Sequence, residues 1–246
     1  MMIHVFPDAE AMSEAAADIF VDKARRSAQL RGRFAVLFAG GETPRRTYEL
    51  LALPPRRDAI PWGKVHVFWG DERCVPSSDR RNNSRMARQA LLDHVPVPPG
   101  QLHPIECHLA PRECAMAYEA TLRSFFSGVA PRFDLVFLGL GADGHTASLF
   151  PGTPVTGEWR RWTAEVAVEG SEFERVTLTA PLINKAETVV FLVTGGNKAQ
   201  VVREVIEGNA DPQSLPARLI GPEDGDLVWL LDSKAARLLR KETAPG

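Results

Sequence analysis

The stretch "FDLVFLGLGADGHTASLFPG", residues 133–152, decides the fold of this chain. Leu135 to Leu138 form a continuous apolar run, which is typical of a strand buried on both faces. The run leads directly into a turn with three glycines, an aspartate and a histidine within seven residues. In an open parallel sheet, ligands bind beyond the carboxyl ends of the strands. The stretch therefore predicts a buried parallel strand that ends at a binding site.

The rest of the chain repeats this alternation of short apolar runs with helical patterns. The predicted strands are FAVLFAG (34–40), KVHVFWG (64–70), FDLVFLG (133–139), RVTLTAP (175–181), TVVFLVTG (188–195) and DLVWLLD (226–232). The predicted helices cover 10–30, 43–52, 82–95, 111–128 and 197–208. Such an alternation predicts a single doubly wound α/β domain over residues 1–246, Rossmann-like, with a mostly parallel sheet and helices on both faces.

Composition excludes several classes of protein. The formal charge of −2 over 246 residues, without a long Lys/Arg run, argues against a nucleic-acid partner. No apolar stretch approaches the ~18 residues of a membrane span, and the first residues do not form a signal peptide. Cys74, Cys107 and Cys114 lack CxxC spacing and are expected to be reduced thiols. We expect a soluble cytoplasmic protein with no membrane partner.

Four predicted strands end in informative sequences, and the fold should bring these ends to one edge of the sheet. They are AGGETP (39–44), GDER (70–73), GLGADGH (139–145) and TGGNK (194–198).

Two of these ends, and one further strand, carry candidate ligands for an anion. Gly40 and Gly41 would let the backbone approach an anion at a helix start, and Thr43 adds a hydroxyl donor. Lys198 and Arg175, which opens RVTLT, add positive charge. The alternatives are an ordinary strand-to-helix turn and, for Arg175, a surface ion pair. A Walker loop is excluded because Gly-Lys-Ser/Thr is missing.

His145 is the candidate for proton transfer, because an imidazole titrates near neutral pH. Asp143 and Asp71 are candidates to orient it, and Arg73 completes the charged end of its strand. The alternative is that His145 caps a helix or binds a carbonyl group. A serine triad is disfavoured because Ser148 is outside a G-x-S-x-G context.

Two further motifs predict nothing specific. GLGADG has the spacing of a dinucleotide fingerprint, but it comes after at least two strand–helix units, and Asp143 would face the pyrophosphate. His103, Cys107 and His108 fit neither zinc-finger nor HExxH spacing, so no metal site is expected.

The motifs FAGGETPRRTYELLA, VHVFWGDERCVP…NNSRMARQALL, FDLVFLGLGADGHTASLFPG, RVTLTAPLIN and FLVTGGNKAQVVREVIEG resemble, in this order, the conserved blocks of 6-phosphogluconolactonases. The resemblance runs from about residue 34 to residue 231 and is most specific in GADGHTASLFPG. It implies a fold similar to that of glucosamine-6-phosphate deaminases. It also implies hydrolysis of 6-phospho-D-glucono-1,5-lactone, the second step of the pentose phosphate pathway, without cofactor or metal, by a monomer or homodimer whose partner is the phosphosugar lactone.

The resemblance also assigns roles to residues. His145 is similar to the proposed general base of the family, and Asp143, Asp71 and Arg73 line the site. We expect Arg73 to stabilise the oxyanion. The groups expected around the phosphate are Gly40, Gly41, Thr43, Arg175 and Lys198.

One departure from the family pattern concerns Glu42, where serine is usual. Because a carboxylate would repel a phosphate, we expect Glu42 to point to solvent. Ala39 and Ser84 also differ from the commoner Ser and Tyr.

Two alternatives to a lactonase stay open. In a glucosamine-6-phosphate deaminase, a glutamate that assists ring opening follows the D-G-H turn, whereas this chain has Phe150 there. A non-catalytic sugar-phosphate-binding module usually arrives with a DNA-binding segment, and none is visible.

Overall fold

The computed structural model describes residues 1–243, along which strands and helices alternate. The strands are β1 (Met2–Phe6), β2 (Phe34–Phe38), β3 (Val65–Trp69), β4 (Asp71–Arg73), β5 (Leu102–His103), β6 (Leu135–Leu138), β7 (Thr163–Val166), β8 (Arg175–Leu178), β9 (Thr188–Val193) and β10 (Asp226–Asp232). The α-helices are α1 (Ala9–Arg31), α2 (Glu42–Leu51), α3 (Arg56–Ala59), α4 (Asn83–Ala90), α5 (Pro111–Phe125), α6 (Ala180–Ile183), α7 (Ala199–Glu207) and α8 (Ser233–Ala236).

Seven strands form one sheet in the order β1-β10-β9-β6-β2-β3-β5, and every neighbouring pair is parallel. The predicted α/β fold with a mostly parallel sheet is confirmed. From β2 the chain proceeds outward to β3 and β5, and it then returns to β6 on the other side of β2. This reversal makes the carboxyl ends of β2 and β6 a topological switch point, where open α/β sheets bind ligands.

The predicted strand at RVTLTAP lies outside the parallel sheet. β8 is the middle strand of a second, antiparallel sheet with the order β4-β8-β7. No helix lies between β7 and β8 to provide the crossover that a parallel pair needs, so the two strands pair as a hairpin. The sequence reading missed β7 and the edge strands β1 and β5, and it did not separate β4 from β3.

Gly70 joins the two sheets. Its N–H donates to the carbonyl of Phe38 at 3.0 Å, and its carbonyl accepts the N–H of Leu178 at 2.8 Å. Gly70 is the one residue between β3 and β4. The charged residues of GDER, Asp71 to Arg73, therefore belong to the antiparallel sheet and not to the parallel one.

Helix α1 covers one face of the parallel sheet with a buried stripe at helical spacing. The ring of Phe20 in this stripe lies edge-on to that of Phe34 in β2, with centroids 5.2 Å apart. Asp8 caps the start of α1, and Gly32 ends it with a φ of 71°. No helix within residues 1–243 is both long enough and apolar enough to cross a membrane.

The two tyrosines of the chain satisfy the backbone where β2 and β3 end. The hydroxyl of Tyr48 accepts the N–H of Ala39 and donates to its carbonyl, both at 3.0 Å. The hydroxyl of Tyr118 makes the same pair of bonds with Trp69, at 2.9 and 3.1 Å. All four residues are buried, so no water replaces these bonds. The tyrosines therefore fix the two strand ends from which the site begins.

We expect Tyr48→Phe and Tyr118→Phe each to lower the free energy of unfolding by about 1–3 kcal/mol, because each leaves a buried N–H and carbonyl unpaired. Denaturant unfolding measures the loss. Thr121→Val is the control, since it removes an exposed hydroxyl bonded to the carbonyl of Ala117 within its own helix. Losses no larger than that of the control would contradict the role of the tyrosines.

Candidate active site

One cavity of about 260 Å³ lies at the carboxyl edge of the parallel sheet and is bordered by all four strand ends singled out in the sequence. The switch-point ends of β2 and β6 form two of its walls. Every predicted site residue except Asp143 lines it: Gly40, Gly41, Thr43, Asp71, Arg73, His145, Arg175 and Lys198.

His145 is held from behind by Asp143. The Nδ1 atom of the imidazole lies 2.5 Å from Oδ1 of Asp143, which also accepts the backbone N–H of His145 at 3.1 Å. Partial burial raises the pKa of Asp143, but the charge of His145 and its hydrogen bonds outweigh this effect and hold that pKa below 3.8. Because the carboxylate is ionised at neutral pH, Nδ1 carries the proton, and Nε2 is left as the basic nitrogen.

The face of the imidazole packs against Phe150, with ring centroids 4.2 Å apart and an interplanar angle of 29°. Within residues 1–243 the ring nitrogens bind Asp143 and no backbone carbonyl or helix end, which were the alternatives for His145. An aromatic wall on one side and a carboxylate at Nδ1 together restrict the imidazole to one orientation.

The glycines of the turn make room for this pair. A Cβ atom on Gly141 would lie 2.0 Å from Nδ1 of His145 and 2.5 Å from Oδ1 of Asp143. Gly144 has a φ of 82°, a conformation that side chains with a Cβ rarely adopt. The contact between His145 and Asp143 therefore requires glycine at positions 141 and 144 of the turn.

Asp71 has a different environment from that expected of a group orienting His145. Its Oδ2 accepts the hydroxyl of Ser148 at 2.6 Å, and its backbone carbonyl accepts the side-chain amide of Asn83 at 2.9 Å. Asp71 and Ser148 are both buried. Asp71 therefore ties β4 to the segment after His145, and the hydroxyl of Ser148 is committed to this bond.

Arg73 and Arg175 are direct partners across the β4–β8 ladder, so their side chains lie on the same face. Arg73 is fixed by bonds to Oδ1 of Asn83 at 2.6 Å and to the carbonyl of Arg81 at 2.9 Å. The guanidinium of Arg175 lies 5.0 Å from the ring centroid of Phe150. The Nε atoms of both arginines are buried and have no hydrogen-bond partner among residues 1–243.

Positive charge is in excess in the cavity. Within residues 1–243, no carboxylate lies within ion-pair distance of Arg73, Arg175 or Lys198; the ion pairs of that range join other residues. Burial lowers the pKa of Arg175 below its ordinary value, and the charge of Arg73 lowers it further, although Asp71 and Glu72 raise it. The arrangement favours an anionic ligand.

The start of α2 adds backbone donors to these cations. Gly41 precedes the helix with a φ of 102°, and no side chain caps it. The hydroxyls of Thr43 and Thr194 are 3.1 Å apart and join this turn to the end of β9. The side chain of Glu42 is 86% exposed and lies 3.7 Å from Arg45, so its carboxylate points to solvent as expected.

The sequence did not indicate the role of Asn83, the first residue of α4. The cap of α4 is Asn82, whose Oδ1 accepts the N–H of Arg85 at 2.8 Å. Asn83 instead joins Arg73 to Asp71, and a Cβ on Gly40 would lie 1.9 Å from its Oδ1. No local signal distinguishes the two asparagines.

The sequence also gave no indication of the role of Glu72. Because side chains alternate along a strand, Glu72 lies on the opposite face of β4 from Asp71 and Arg73. Its buried carboxylate accepts the N–H groups of Arg73 at 2.9 Å, Asn83 at 2.7 Å and Ser84 at 2.9 Å. Burial raises the pKa of Glu72 to about 7, although these three bonds lower it. Glu72 thereby fixes the first turn of α4 against β4.

His103 and Cys107, which were considered as metal ligands, contact different residues. Nε2 of His103 lies 3.3 Å from Nδ1 of His66, whereas Sγ of Cys107 lies 3.0 Å from Sγ of Cys74. Residues 1–243 hold no group of three or more His, Cys, Asp or Glu side chains placed to bind a metal ion.

Comparison with known proteins identifies the family. The family described as glucosamine-6-phosphate isomerases/6-phosphogluconolactonase matches residues 7–229. A 6-phosphogluconolactonase of Synechocystis sp. is 47% identical over 214 residues, which are 85% of this chain and 86% of that protein. The chain belongs to this family.

Solved structures of the family share the fold. The 6-phosphogluconolactonase from Trypanosoma cruzi superimposes with a TM-score of 0.86 at 29% identity, over 97% of this chain and 96% of that one. A monomeric glucosamine-6-phosphate deaminase superimposes with a TM-score of 0.81 at 22% identity, over 97% and 100% of the two chains, and so shares the fold alone.

For this family member, we expect Gly141→Ala to lower catalytic activity by at least about tenfold, since the added methyl group displaces His145 from Asp143. Activity on the lactone and circular dichroism measure function and folding separately. Gly157→Ala is the matched control, because its added Cβ meets nothing within 4 Å and Gly157 is outside the cavity. Equal activity of the two variants would show that the His145–Asp143 contact is dispensable.

Proposed function

We propose that the chain hydrolyses 6-phospho-D-glucono-1,5-lactone to 6-phospho-D-gluconate, the second step of the oxidative pentose phosphate pathway. The observation that carries the proposal is His145, oriented by Asp143, at a cavity whose cations have no ion-pair partners. The names of the relatives support the same substrate. The proposal requires a small phosphosugar lactone as partner and a single cytoplasmic domain, and it holds for a monomer or a homodimer.

The first step is attack of water on the carbonyl carbon C1. Nε2 of His145 takes a proton from the water as the C–O bond forms, and Asp143 stabilises the resulting imidazolium. When the ring C–O bond breaks, the same imidazolium returns the proton to the departing ring oxygen. Proton transfer of this kind contributes on the order of 100- to 10,000-fold. A lactone is an activated ester, so the mechanism needs neither a metal ion nor a cofactor.

Arg73 is the group that stabilises the tetrahedral oxyanion. Stabilisation of developing charge requires donors that are already in place before the reaction. The bonds from Arg73 to Asn83 and Arg81 fix its guanidinium without any ligand. The guanidinium of Arg175, in contrast, takes part in none of the side-chain hydrogen bonds found within residues 1–243, and it is therefore better suited to bind an anion that arrives with the substrate.

The phosphate is bound at the opposite side of the substrate. Lys198 and Arg175 supply charge, and the turn at Gly40, Gly41 and Thr43 supplies backbone N–H groups and a hydroxyl at the start of α2. Because the phosphate is remote from C1, its binding energy serves to orient the carbonyl toward His145.

Phe150 argues against the deaminase alternative. Its ring packs on His145, and an apolar ring cannot transfer a proton in sugar-ring opening. Two assays decide between the activities: acid release from fresh 6-phosphogluconolactone and ammonia release from glucosamine 6-phosphate. Acid release alone supports the lactonase; ammonia release supports the deaminase, and activity in neither assay supports a non-catalytic binding module.

We expect His145→Ala to lower lactone hydrolysis by roughly 100-fold or more after correction for spontaneous opening, because no other base is positioned at the carbonyl. The corresponding control is His94→Ala, which removes an exposed imidazole bonded to the carbonyl of Gln89. Turnover near that of the wild type in His145→Ala would remove this residue from the mechanism.

We expect Lys198→Ala to weaken binding of 6-phosphogluconate by roughly 10- to 150-fold, the loss of one charge-assisted hydrogen bond. Calorimetry measures the affinity, and hydrolysis of unphosphorylated gluconolactone should barely change. Lys64→Ala is the control, because Lys64 is exposed and lies at the amino end of β3, whereas the cavity lies at the carboxyl ends of the strands. Equal losses for both lactones would show that Lys198 acts on the fold or the chemistry, and not on the phosphate.

A further inference from the structure

Two cysteines that are far apart in sequence meet beside the site. Sγ of Cys74 lies 3.0 Å from Sγ of Cys107, about 1 Å more than the ~2.05 Å of a disulfide bond. Both thiols are free and half-buried. The third cysteine, Cys114, is 1% exposed and has its Sγ 3.3 Å from the carbonyl of Leu109, so it is separate from the pair.

We propose that Cys74 and Cys107 are a redox modification site, which a peroxide or disulfide oxidant converts reversibly to an intramolecular disulfide. The inference is independent of the proposed lactonase activity, because it rests on the position of the two thiols alone.

Small oxidants can reach the pair from two sides. Cys74 and Cys107 lie on the wall between two surface depressions and line both of them. One depression is bordered by Leu109 and Phe173, and the other by Ser77 and Arg88.

The two thiols have different roles in the reaction. The hydrogen bond with Cys107 lowers the pKa of Cys74 below 9.0, and this bond and burial raise the pKa of Cys107. Cys74 acts as the nucleophile in the proposed reaction, and exchange of the two roles gives the same disulfide. Its thiolate attacks one oxygen of hydrogen peroxide, forming a sulfenic acid and hydroxide. The sulfur of Cys107 then attacks that of the sulfenic acid, its proton and the hydroxyl group leave as water, and the S–S bond forms. A dithiol reverses the reaction by thiol–disulfide exchange.

The backbone determines which residue moves during this reaction. Cys74 directly follows Arg73, and its N–H donates to the carbonyl of Glu174 at 2.9 Å, so it continues the β4–β8 pairing. Residues 104–109 are outside the helices and strands, and they take part in none of the backbone–backbone hydrogen bonds that stabilise the loops within residues 1–243. The carbonyl of Leu109 accepts the thiol of Cys114. The shift of about 1 Å therefore falls on Cys107, and Arg73 stays in place. The disulfide fastens β4 to this segment without stopping catalysis.

The test treats the full chain with hydrogen peroxide and then maps linked peptides by mass spectrometry, with dithiothreitol as the reversal. We expect a Cys74–Cys107 link in the wild type and in Cys114→Ser, and none in Cys74→Ser or Cys107→Ser. Oxidation that stops at sulfinic acid, links two chains or uses Cys114 would overturn the proposal. Detection by mass does not depend on lactonase activity, so failure of either proposal is recognised separately.

Two further readouts test the consequences. Closing the loop between residues 74 and 107 should raise the melting temperature by roughly 5–10 °C in the oxidised wild type, with no rise in the oxidised Cys74→Ser/Cys107→Ser variant. Activity of the oxidised and reduced wild type should agree within about twofold. A lower melting temperature, or a large loss of activity on oxidation, would show that the disulfide displaces Arg73.

Discussion

The carboxylate of Glu72 is the interaction on which the arrangement of the site depends. A fully buried carboxylate is expensive in free energy unless its oxygens are satisfied. Here three backbone N–H groups satisfy them: one from its own strand and two from the first turn of α4, where the helix dipole also favours negative charge. The bonds hold α4 in one position against β4. That position places Asn83 between Arg73 and Asp71, and Asp71 in turn binds the hydroxyl of Ser148.

This polar network connects segments that approach the cavity from different strands. It joins the GDER segment to the segment after His145, while the hydroxyls of Thr43 and Thr194 join the turns after β2 and β9. Its carboxylates, its amide and its serine hydroxyl bond to one another or to the backbone, which favours a single geometry for a buried network. By contrast, Arg175 and Lys198 line the cavity with no carboxylate at ion-pair distance among residues 1–243. The carboxylates and amide that position the site are therefore hydrogen-bonded, whereas Arg175 and Lys198, the proposed phosphate ligands, have no ion-pair partner within residues 1–243.

The sequence alone was enough to predict the fold class and to select residues that line the cavity at the carboxyl edge of the sheet. Apolar runs, glycine-rich strand ends and helical periodicity are local signals, so the strands from β2 to β10 were located, except β5 and β7, and β4 was not separated from β3. The same signals singled out His145, Lys198 and the turn at Gly41, because a titratable or charged residue after a buried strand faces the ligand-binding edge of such a sheet. The exposed position of Glu42 also followed from simple charge repulsion.

Only the tertiary structure decided which groups meet. The sequence offered Asp143 and Asp71 equally as partners of His145, and the tight turn at Gly141 gives the contact to Asp143. The antiparallel register that pairs Arg73 with Arg175, and the packing that brings Cys74 to Cys107, join residues far apart in the chain. Strand order and register depend on how the whole core packs. Periodicity and local motifs therefore determined which residues reach this edge of the sheet, and long-range packing determined their partners.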